Sequence, residues 1–141
     1  DLTNPQGETP LMMAALKGNI DLMNLLIARG ALVNKPGWSP LHYAATGPNA
    51  AAVALLIRHG ADVNAASPNG TTPLMMASRY GSSESLKLLI QAGADLQASN
   101  AMGLNALDFA RQGARPDATE ILHKLMDQPQ WPDAPTTTKN D

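Results

Sequence analysis

The chain has 141 residues and a net charge of −2, with 44% hydrophobic, 16% charged and 4% aromatic residues and no cysteine. That length predicts one domain, and the apolar share is enough for a core. Disulfide scaffolds and thiolate zinc sites are excluded, no basic excess marks a nucleic-acid binder, and no apolar run reaches the ~18 residues of a membrane span. The chain starts at Asp1 with no charged-then-apolar leader, so it reads as a processed or trimmed product whose compartment is unassigned.

Gly7 precedes Pro10 by three residues, as Gly37 precedes Pro40 and Gly70 precedes Pro73. The intervals between these glycines are 30 and 33 residues, and Gly103 continues the series 33 further on, with Ala106 in place of proline. A second series, Gly30, Gly60 and Gly93, follows each proline by 20 residues. Two markers in phase identify internal repeats. Their bounds are about 4–34, 35–66, 67–99 and 100–127, with a Pro- and Thr-rich tail at 128–141 that reads as disordered.

In the first repeat Thr9 is an N-cap and Pro10 the first helical residue, where its missing N–H is no loss. A short helix over Leu11–Leu16 ends at Gly18. Asn19 caps a second helix, Ile20–Arg29, which Gly30 closes in the left-handed conformation. The same order returns as Ser39-Pro40, Asn49 and Ala50–His59. It returns again as Thr72-Pro73, Ser82 and Ser83–Ala92, and finally as Asn105-Ala106 and Pro116–Asp127. Polar turns such as Asn64–Gly70 link the units. Helix pairs this short bury their apolar faces only by stacking, which predicts a solenoid. The fold class is therefore all-α, apart from short hairpin-like turns. Each of the first three units keeps its 20-residue spacing, so the 30-residue interval places a three-residue loss in the turn Asn34-Lys35-Pro36-Gly37. A notch beside Trp38 is expected there. Ile121, Leu122, Leu125 and Met126 are expected to face inward while His123, Lys124 and Asp127 cap the stack. The first helix, with Leu11, Met12, Met13 and Leu16, reads like an interior one. This predicts a preceding repeat or, alternatively, packing on a second copy.

The wording resembles the ankyrin repeat. Gly7-Glu8-Thr9-Pro10-Leu11-Met12-Met13-Ala14-Ala15 is similar to the family's core motif. So are Gly37-Trp38-Ser39-Pro40-Leu41-His42-Tyr43-Ala44-Ala45 and Gly70-Thr71-Thr72-Pro73-Leu74-Met75-Met76-Ala77-Ser78. Leu55-Leu56-Ile57-Arg58-His59-Gly60-Ala61-Asp62-Val63-Asn64 matches the family's closing motif. Met12 and Met75 replace the motif histidine, leaving its hydrogen bond between repeats to His42. Leu32 replaces the aspartate matched by Asp62 and Asp95. Trp38 to Ala45 is similar to bacterial members, some of which are exported.

The resemblance implies a protein partner held by the turn tips and the exposed side of the first helices. By motif position these sites are Gln6, Glu8, Leu16 and Lys17; Lys35, Pro36, Trp38 and Thr46; Asn69, Thr71, Arg79 and Tyr80; and Met102, Leu104 and Gln112. Trp38, before an N-cap, is expected to point outward, either toward a partner or down into the notch. Tyr80 either binds or covers its own loop. Tyr43 is assigned to the core, with Met13, Met76 and Phe109 at the matching positions. His42, His59 and His123 have no metal-ligand spacing, and no nucleophile elbow, GxGxxG or phosphate loop is present. Asp62 and Asp95 read as turn acceptors. Asn69-Gly70-Thr71 fits a glycosylation sequon of the kind that arises easily by chance. The expectation is a non-catalytic interaction module without cofactor, metal, nucleic acid or membrane insertion. A structural spacer within a longer repeat protein is the alternative, and an enzyme the remote one.

Overall fold

The computed structural model describes residues 2–127; the tail expected at 128–141, with Trp131, lies outside the described residues. Eight helices follow one another among these residues: α1 (Pro10–Lys17), α2 (Ile20–Ala28), α3 (Pro40–Thr46), α4 (Ala50–Arg58), α5 (Pro73–Arg79), α6 (Ser83–Gln91), α7 (Ala106–Gln112) and α8 (Pro116–Met126). The odd-numbered helices pack in series as one layer and the even-numbered ones as a second. The second helices each end one residue before the predicted bounds. Arg29, His59 and Asp127 are C-caps rather than helical residues, as is Ala92.

All four first helices start on a capping box built from the expected N-caps. The third helical residue closes it with three different chemistries. Met12 Sδ accepts from the Thr9 N–H at 3.3 Å, and Met75 Sδ from the Thr72 N–H at 3.4 Å. His42 Nδ1 accepts from the Ser39 N–H at 3.1 Å, and Asp108 Oδ2 from the Asn105 N–H at 3.0 Å. Each satisfies a backbone donor that the helix start leaves unpaired. Gly30, Gly60 and Gly93 close the second helices at φ of 93°, 86° and 101°.

The core runs through the stack as a column of fully buried leucines and alanines. Leu11, Leu41 and Leu74 sit on the first helices, and Leu56, Leu89 and Leu122 on the second. Burying each such leucine contributes ~1.5–3 kcal/mol. Small residues let the layers approach. A Cβ at Gly81 would collide with the Ala45 carbonyl oxygen, and one at Gly47 with that of Leu16.

Two asparagines clamp neighbouring repeats, a device that the repeat motif did not announce. Asn34 donates to the Gly60 carbonyl at 3.0 Å and accepts from the Asp62 N–H at 2.8 Å. Asn64 does the same to Gly93 and Asp95, at 3.2 and 2.7 Å. Asp62 and Asp95 are turn acceptors, taking the N–H of Asn64 and of Gln97.

Three turns are the same hairpin. Paired backbone bonds close Asn4–Glu8, Ser67–Thr71 and Asn100–Leu104. Among the described residues the turn before α3 has no such pair, and its place is a hollow of about 450 Å³ lined by Asn34–Gly37, Asp62, Ala65 and Ala66. The three-residue loss thus removes a hairpin and leaves the expected notch. Trp38 does not fill it.

Candidate functional site

The first helices present one row four residues after each N-cap (Met13, Tyr43, Met76, Phe109) and another three residues further on (Leu16, Thr46, Arg79, Gln112). Residues three apart on a helix share a face. Around α3 these rows form a hollow of about 290 Å³, lined by Leu16, Trp38, His42, Tyr43, Thr46 and Met76. Its walls are almost wholly apolar, and they come from the first three repeats.

His42 forms part of this lining. Its Nδ1 takes a backbone N–H and its Nε2 lies 2.8 Å from the Thr71 carbonyl, an obligate acceptor. The proton therefore sits on Nε2, which donates to the next repeat. Burial pushes the His42 pKa below its ordinary 6.5, with the Thr71 bond opposing. Trp38 leans edge-on against the imidazole, with ring centroids 5.0 Å apart at 72°. That is a correction to the expectation that Trp38 stands outward: it is half-buried, because the imidazole edge offers it a favourable aromatic contact.

Tyr43 is likewise corrected. It is half-buried at the hollow rather than in the core, and its phenol donates to Glu8 Oε2 across the repeat boundary at 2.6 Å. Burial, and then the Glu8 bond, push the Tyr43 pKa up to about 12. Hydrogen bonds from Asn4 and then Tyr43 hold the Glu8 carboxyl below its usual range.

A second cluster lies one repeat further along. The Arg79 guanidinium sits over the Tyr80 ring, 5.1 Å from its centroid, and donates to Gln112 Oε1 at 3.0 Å. Tyr80 is 53% exposed and Met102 is 74% exposed, so both are accessible. Leu104 is half-buried, while Gln6, Lys17 and Asn69 are exposed on the turns and helix ends. Lys35 and Pro36 border the notch.

Thr71 is the expected site residue that the structure withdraws. It is 3% exposed. Its hydroxyl donates to Asn69 Oδ1 at 2.9 Å and accepts from Asn100, and its carbonyl takes the His42 proton. Its polar groups are used up in holding turns together. Conversely, sequence reasoning gave His42, Tyr43 and Met76 structural roles alone. The signal was the three-residue offset from Leu16, Thr46 and Arg79, which puts both rows on one surface.

Among the described residues no three His, Asp or Glu side chains gather as a metal site, and no helix is long and apolar enough to cross a membrane. His59 caps α4, and His123 pairs with Asp127 at 3.0 Å on exposed surface. Two family models match the chain. One, described as ankyrin repeats (3 copies), matches residues 1–67, and the other, ankyrin repeats (many copies), matches residues 56–110. No curated protein matches it. Capped helix pairs, two stacked layers and overlapping matches over residues 1–110 agree: the chain belongs to the ankyrin-repeat family.

Proposed function

We propose that this chain is, as ankyrin repeats generally are, a protein–protein interaction module, non-catalytic and holding a partner segment along its first-helix face and turn tips. The observation that carries the reading is the apolar hollow of Leu16, Trp38, His42, Tyr43, Thr46 and Met76. It would take one apolar side chain of the partner. Arg79, Tyr80 and Gln112 would meet the same segment one repeat further on. Trp, Tyr and Arg are the residue types that most often anchor interfaces.

The test compares capture and titration of a partner by four proteins: the native chain, Trp38→Ala, Tyr80→Ala and Lys87→Ala on the exposed side of α6. Trp38→Ala and Tyr80→Ala should each weaken binding by about tenfold or more, while Lys87→Ala binds as the native chain does. Equal binding by all four, or a partner lost only from Lys87→Ala, would overturn the reading. Capture of no partner by any of the four would also overturn it, and would indicate a spacer with no partner of its own.

A further inference from the structure

The outer face of α2 has no neighbour among the described residues. Leu22 and Leu25 are 38% and 48% exposed. The residues at the matching positions of α4 are Ala52 and Leu55, which are 0% and 2% exposed. The stack therefore starts with a surface of the kind that an interior repeat covers. The opposite end does not. Glu120, His123, Lys124 and Asp127 of the last repeat are all exposed, so the two ends are not complementary and head-to-tail stacking would set leucines against charges.

The α2 face is complementary to itself. Its exposed stripe reads Asp21, Leu22, Leu25, Ala28 and the C-cap Arg29. Leu25 is the midpoint. If two such helices cross antiparallel about a two-fold axis at Leu25, Leu25 meets Leu25. Leu22 then meets the small Ala28, which allows close approach. Asp21 meets Arg29, twice over by symmetry. Neither Asp21 nor Arg29 forms an ion pair among the described residues. A two-fold interface needs this property: one patch that satisfies its own copy.

We infer that this chain pairs with a second copy of itself through the outer face of α2, antiparallel and centred on Leu25. The inference goes beyond the proposed partner site, since α2 lies in the other helix layer.

Sedimentation or light scattering across a concentration series of the 141-residue chain tests it. The native chain should pass from monomer to dimer. Leu25→Asp should abolish the dimer; because the position is exposed, its helical spectrum should be kept. Asp21→Arg and Arg29→Asp should each weaken dimerisation by about tenfold or more, and the double exchange should restore it. These two variants carry the test should Leu25→Asp fail to fold. A native chain that stays monomeric overturns the inference and leaves the face to another occupant, a further repeat or a foreign helix. A dimer that survives Leu25→Asp, or a double exchange no better than the single ones, also overturns it.

Discussion

His42 joins three jobs in one side chain: it closes the α3 capping box, bonds the next repeat through Thr71, and lines the hollow beneath Trp38. Its pKa is held below 6.5 by burial. The unfolded chain therefore takes up a proton at His42 as pH falls through about 6.5, while the folded one resists. Its stability contribution is fully present above that pH and declines below it. The expected result is a melting temperature that drops between about pH 7 and pH 5, the range in which histidine titrates. His42→Met, the residue used at the same position in α1 and α5, should flatten that drop. At neutral pH the same substitution should cost ~0.5–1.5 kcal/mol, because the bond across the repeat boundary is lost while the Thr71 carbonyl keeps the Ser67 N–H. Thermal melts of both proteins over the pH series check the sign and the size. Tyr80→Ala is a contrasting case. Tyr80 is 53% exposed, so its loss should move stability by no more than ~0.5 kcal/mol while weakening the partner. Trp38→Ala, which gives up the His42 contact, should cost ~1 kcal/mol or somewhat more.

At the level of elements, the packing depends on how close a loop comes to the helix before it. Gly81 lies against the carbonyl of Ala45 and the backbone of Ala77, both rigid. Gly81→Ala should therefore destabilise by ~1–3 kcal/mol through overpacking, visible as a lower denaturation midpoint with an unchanged slope. Turn chemistry makes a second prediction. Three of the four turns are closed hairpins and the one before α3 is a stub. Inserting three residues between Lys35 and Gly37, copied from the Ser67–Thr71 turn, should rebuild the hairpin. The insertion should keep the melting temperature within ~2–4 °C, since lengthening a surface loop costs little. The element starts and stops were legible in the sequence because N-caps, Pro and Gly act locally. The Asn34 and Asn64 clamps were not, since each joins a side chain to backbone about one repeat away. Thr71 was misassigned for a similar reason: position on a turn tip says nothing about whether Asn69, Asn100 and His42 will enclose it.

The whole molecule is a short row of units whose stability depends on neighbours. α2 has one flanking helix in its layer and only Met23 fully buried, whereas α4 has two flanking helices and buries Ala52, Val53, Leu55 and Leu56. Hydrogen exchange on a monomeric Leu25→Asp variant should therefore show α2 opening at lower free energy than α4. Equal protection in both helices would refute that gradient. Repeat number, phase and the polar finish at α8 were readable from periodicity alone. The hollow was not, because it is shared among α1, α3 and α5, and the sequence separates its walls by about one repeat each.

The charged outer face of the last repeat has a further consequence. Two chains joined at their α2 faces would expose Glu120, His123, Lys124 and Asp127 at both extremities. Among the described residues, neither extremity would then offer an apolar face like that of α2 to another copy. Growth would stop at two, so the apparent mass should level off with concentration instead of climbing toward filaments.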